Sequence, residues 1–209
     1  MNKSIETMWM EGFVDDMALI APKINDLYNQ KSKNLIDKFE HMFAANQKGV
    51  LIAAFVIFAI LAVFGVPFLG LIIALMLSGL VAVGKKQLRE LKTINKDVSS
   101  FDYLKSFDQW LDKSIQDYVK VYRFFYPGLF LVCAIWFLFS DIGAELINSI
   151  PEMYSVFDIP IIVLAGLVAV TLLIGLVAER VYRADVKLYY GGEMTKLKVL
   201  ISEMENLKT

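Results

Sequence analysis

Residues 49–84 read GVLIAAFVIFAILAVFGVPFLGLIIALMLSGLVAVG, a run of 36 residues without a charge. As one straight helix it would measure about 54 Å, nearly twice the hydrocarbon thickness of about 30 Å. Two antiparallel helices, roughly Val50–Phe64 and Phe68–Val83, fit better. The turn falls at Gly65-Val66-Pro67, where glycine permits an unusual backbone and proline ends the preceding helix. Each half is short, about 24 Å. Helical continuation through Ala44–Lys48 and into Lys85–Lys86, with the lysines snorkelling outward, makes up the length.

Two further blocks fit the same reading. Phe124–Ser140 is uncharged and aromatic-rich, with Pro127 expected in its first turn. Ile159–Ala178 gives twenty uncharged residues between Asp158 and Glu179-Arg180, opened by Pro160. The expected fold is an all-α membrane bundle of four transmembrane helices, with amphipathic helices drawn out of spans 3 and 4. The layout has five parts: a helical segment 1–48, a hairpin of spans 49–84, a helical segment 85–123, spans 3 and 4 over 124–178 with a loop at 141–158, and a tail 179–209. Before residue 49 the longest apolar run is Met17–Ala21, too short and too acidic in its flanks for a cleavable signal. The first span is therefore expected to direct its own insertion.

The charges fix an orientation. Residues 1–48 hold six Lys/Arg, residues 85–123 nine and residues 179–209 six, which accounts for all 21. The turn at Pro67 and the loop 141–158 hold none, and that loop carries Asp141, Glu145, Glu152 and Asp158. The positive-inside rule then puts both termini and the segment 85–123 in the cytoplasm, with a bacterial inner membrane as the expected setting. A single long span at 49–84 would set the nine-charge segment against the rule.

The charged segments carry helical patterns. Ser4 is expected to cap a helix holding Met8, Trp9 and Phe13, and Pro22 to break it. Ile24, Leu27, Tyr28, Leu35, Ile36, Phe39 and Phe43 follow at helical spacing. Leu88, Leu91 and Ile94 form one face of 85–96, and Ser99-Ser100 starts a new helix. Its stripe Leu104, Phe107, Leu111, Ile115 and Tyr118 runs without a breaker into span 3, a helix of roughly 40 residues whose apolar side needs a cover. The tail continues span 4, breaks at Gly191-Gly192, and ends in a helix with Met194, Leu197, Leu200, Ile201, Met204 and Leu207.

Chemistry-bearing residues are few. The four apolar blocks contain no ionisable carboxylate, lysine, arginine or histidine, which argues against a proton pump, a secondary transporter or an intramembrane protease. Net charge is −1 and gives no nucleic-acid-like field. His41 lacks ligand partners, Cys133 reads as a small buried apolar residue, and Asp141/Glu145 as solvated acids; no catalytic residue, cofactor or metal is expected. Lys85, Lys86, Arg89 and Lys92 form a juxtamembrane cluster suited to anionic lipid. Gly70, Ala74, Ser78 and Ala82 repeat every four residues, a pattern for close helix packing within the bundle or in a homo-oligomer.

These patterns favour a non-enzymatic scaffold or regulator in the lipid bilayer. Its cytoplasmic helices would hold a protein partner through Leu104, Phe107, Leu111, Ile115 and Tyr118, anti-sigma-like sequestration being one example. The alternative is a small oligomeric channel or transport-complex subunit.

Overall fold

The computed structural model describes residues 5–95, 98–150, 154–157 and 159–206, with side chains described from residue 27 onward. The expected cap at Ser4, the packing of Met8, Trp9, Phe13, Ile24 and Leu207, and the surroundings of Lys96, Glu152 and Asp158 lie outside the described residues. Five helices account for nearly all of the rest: α1 (Ile5–Val63), α2 (Pro67–Lys92), α3 (Ser100–Leu138), α4 (Asp141–Asn148) and α5 (Ile161–Asn206). Four of them, α1, α2, α3 and α5, are long and apolar enough to cross a membrane.

The hairpin turns where glycine and proline mark it. The Gly65 N–H donates to Ala62 O at 3.1 Å and Val66 N–H to Leu61 O at 2.9 Å. With Gly65 at φ 81°, this closes α1 in the double-bonded left-handed cap that glycine favours. Pro67 then starts α2, where its missing N–H costs nothing. Gly70 lets the two helices approach: a Cβ there would lie 3.1 Å from Leu61 Cβ and 3.2 Å from Phe58 Cα. The seam continues up α2 through Ile73, Leu80, Gly84, Gln87 and Leu91, all buried.

Helix α3 starts as expected at Ser99. Its hydroxyl accepts the Asp102 N–H at 3.2 Å and donates to Asp102 Oδ2 at 2.6 Å. That satisfies one of the open donors of the first turn, an arrangement worth about 1 kcal/mol. The helix then runs 39 residues without interruption.

Four expectations are corrected. Pro127 lies deep inside α3 rather than in a first turn, because the helix begins so far upstream. Arg123 O thereby loses a helical donor, and Gly175 of α5 packs beside the gap, its Cβ position 3.5 Å from Pro127 Cγ and 3.9 Å from Arg123 O. The backbone also stays helical through Pro22, although a proline there has no N–H to reach Ala18 O and an interior proline costs a helix about 3 kcal/mol. Gly191-Gly192 does not break α5 either. Glycine weakens a helix interior by about 1 kcal/mol each, but Glu193, Leu197 and Leu200 beyond it are buried and hold the last turns in place. Finally, Ile159 and Pro160 are not helical. They form a two-residue antiparallel pairing, β2 (Ile159–Pro160) with β1 (Ser155–Val156), and the Ile161 N–H donates to Tyr154 O at 3.0 Å. The loop 141–158 also contains α4, capped by the Ser140 hydroxyl on Gly143 N–H.

The bundle has two unlike ends. Where α1, α2, α3 and α5 are apolar, large side chains such as Phe55, Leu75, Leu172 and Leu176 are exposed, as lipid-facing positions are. At the charged end the same four helices enclose a core.

Candidate functional site

At the charged end the five stripe residues of α3 meet matching residues of the other helices. Leu104 and Phe107 are fully buried, in one cluster with Leu35 and Phe39 of α1, Leu91 of α2, and Leu197 and Leu200 of α5. The Phe107 ring lies 5.3 Å from Phe39 and 5.5 Å from Trp110. Nearer the apolar half, Tyr118 forms a second cluster with Val119 and Tyr182. Leu111 and Ile115 remain half-buried, with Ile115 at the edge of a groove beside α5. The chain therefore covers most of the stripe itself.

One polar pair lies between the two clusters and a second polar contact runs within the Tyr118 cluster, neither of them revealed by hydrophobic periodicity. The Ser114 hydroxyl donates to Gln87 Oε1 at 2.5 Å, and both residues are buried. The Gln47 amide donates to the Tyr118 hydroxyl at 3.0 Å, while its own oxygen is buried without a donor. Gln47 lies on Gly84, where any larger side chain would displace it. Tyr182 stacks on Tyr122 at 4.6 Å and on Tyr118 at 5.8 Å. Burial pushes the Tyr118 hydroxyl up to about 12, against the lowering effect of Gln47. The one available signal was position: Gln87 falls on the Gly70–Leu91 seam, so a glutamine there must be buried.

Ion pairs tie neighbouring helices together around this core. Lys38 of α1 reaches Glu193 of α5 at 2.8 Å, and Lys92 of α2 reaches Glu40 of α1 at 3.3 Å. Lys113 of α3 lies 3.9 Å from Glu90 of α2, and Arg123 of α3 lies 3.0 Å from Glu179 of α5. Lys38 and Lys196 hold the Glu193 carboxyl below the usual carboxylate range. The pairs with both partners exposed contribute about 1 kcal/mol or less each, whereas Glu193 is buried and is met by two lysines.

The remaining candidates are distributed as follows. Lys85, Lys86 and Arg89 are exposed and have no ion pair among the described residues, whereas Lys92 is engaged by Glu40. Of the small residues, Gly70 is buried on α1, Ala74 is half-buried, and Ser78 and Ala82 face outward. Ser78 and Thr171 bond locally, to Ala74 O at 2.8 Å and Leu167 O at 2.7 Å. Cys133 is exposed on the outer face of α3, which corrects the expectation that it is buried; it lies on the side of the helix away from its neighbours. His41 is exposed, and no group of three metal-binding side chains occurs among the described residues.

The cavity inside the core, lined by Phe43, Trp110, Ser114 and Tyr118 among others, measures about 40 Å³. Small-molecule sites run to about 300–1,000 Å³, so it holds a water or two at most. An open cleft of about 610 Å³ separates the hairpin tip from α3 near Trp136, Phe139 and Asp141. What this arrangement offers is a packed core at the charged end of four long apolar helices. No protein-family model, curated protein or solved structure matches the chain.

Proposed function

We propose that this chain is an integral membrane scaffold or regulator, without catalytic activity of its own, that presents its charged four-helix end to a protein partner. Sequestration of a soluble regulator in the manner of an anti-sigma protein is one form this takes. The observation that carries the reading is the core itself. Leu104, Phe107 and Leu197 are fully buried within the chain, so the charged end is a preformed platform. The apolar halves of the helices carry no charged side chain that would mark an ion or proton path.

In this reading both termini and the charged end lie in the cytoplasm, as the positive-inside rule asks, and the membrane is a bacterial inner membrane. Lys85, Lys86 and Arg89 rest on anionic headgroups, each worth about 1 kcal/mol near such a surface. Of the α3 stripe, only the part-exposed edge at Leu111 and Ile115 is open to a partner; the other residues support it from within. A small oligomeric channel or transport subunit is the second reading, and the outward-facing Ser78 and Ala82 are what favour it.

Two labels on the full-length protein in native membranes test the first reading. In a Cys133→Ala background, cysteines at Val66 and Ile147 should react with an impermeant maleimide from outside, and one at Lys105 should not. A photo-crosslinking residue at Asp108 or Asp112, beside the Leu111 and Ile115 edge, should capture one defined protein, and the same residue at Phe55 should capture none. Reaction of position 105 from outside, or no defined adduct at either aspartate, overturns the proposal.

A further inference from the structure

The outward face of α5 holds features that its own chain does not use. Gly192 lies inside the helix, and a Cβ there would meet no atom within 4 Å. Nothing among the described residues requires the smallest residue at that point, although glycine weakens a helix interior. On the same face Leu188 is 81% exposed and Val199 51%. At about 100° per residue, Val181, Ala184, Leu188, Gly192, Thr195 and Val199 share a sector of about 80°. All six are exposed and none is charged. The line continues into the apolar half through the exposed Gly166, Val170 and Val177, about 50 Å in all.

Most charges beside this line fall into opposite signs. Arg180 and Lys198 border it on one side and Asp185 and Glu203 on the other, all four exposed, while Lys196 on the acidic side is tied to Glu193 of its own chain. None of those four has an ion-pair partner among the described residues. Two copies inserted alike in one bilayer hold their α5 helices parallel. In a parallel two-fold pair each uncharged line meets itself, and a flanking residue meets the residue about five further along the second helix. That spacing sets Arg180 against Asp185 of the second copy and Lys198 against Glu203 of the second copy. Grooves of about 350 and 480 Å³ run on either side of the line, against α1 and α3, and Thr195 borders both.

We infer that a second copy of this chain docks along this face, making a parallel dimer with α5 against α5 and Gly192 at the close approach. The inference does not depend on the protein-partner reading above. Its test uses the full-length protein in native membranes with Cys133→Ala, oxidised after single substitutions. Leu188→Cys and Thr195→Cys should give a disulfide-linked dimer as the main product; Lys105→Cys and Gln109→Cys, on the outer face of α3, should stay monomeric. Lys198→Glu should reduce the dimer at position 188, and Lys198→Glu with Glu203→Lys should restore it, which a merely structural role of Lys198 would not do. Monomer at both α5 positions, equal yields at the α3 positions, adducts only with other proteins, or no response to the charge exchange would overturn the inference.

Discussion

Phe107→Ala is expected to destabilise the charged end by about 3–5 kcal/mol, the range for emptying a fully buried phenylalanine site. Phe107 has no exposed surface and sits where all four long helices converge, with Phe39 and Trp110 against its ring. Neither neighbour can fill the space without leaving its own contacts, so little relaxation offsets the loss. The apolar halves, covered by detergent, should keep their helices. Denaturant titration in detergent, followed by Trp110 emission in a Trp9→Phe, Trp136→Phe background, should show the midpoint for this end falling sharply, with Phe107→Leu much milder. A shift under about 1 kcal/mol would mean that this core is absent in solution.

Leu197→Ala should cost about 2–5 kcal/mol in the same titration. Its interest is that Leu197 lies beyond Gly191-Gly192 and is nevertheless fully buried. If α5 broke at the glycines and its end were free, Leu197→Ala would be nearly silent. Because Leu197 and Phe107 belong to one cluster, the double substitution should depart from additivity by about 0.5–3 kcal/mol. Additive costs would place the two side chains in separate units.

The four helices long and apolar enough to cross a membrane were legible because charge is absent over blocks of the length a bilayer requires. The turn at Gly65-Val66-Pro67, the start at Ser99 and the unbroken α3 were legible for local reasons, since each depends on residues within a turn or two. The glycine pair was misleading for the opposite reason. Its local cost is real, but contacts made by Glu193, Leu197 and Leu200 with distant helices outweigh it. The small-residue line on α2 illustrates a geometric limit. Each step of four residues rotates about 40° round a helix, so three steps carry Ala82 about 120° away from Gly70. The buried seam instead alternates threes and fours, through Gly84 to Gln87 and Leu91. Likewise Gln87 and Ser114 read as surface residues singly and become a buried pair only once the seam is known. The stripe on α3 was legible as a face needing cover; that α1, α2 and α5 supply the cover depends on the register of four helices, which no local pattern fixes.

Amide hydrogen exchange on the purified, detergent-solubilised full-length chain tests the central claim, that the charged end is a folded four-helix unit without any partner. Amides over residues 101–123 and 193–204 should exchange slowly and together, as one cooperative unit, while Val98 and Ser99 exchange fast. Fast exchange over 101–123 in the isolated protein would contradict the account, because the α3 stripe would then be waiting for a partner to cover it.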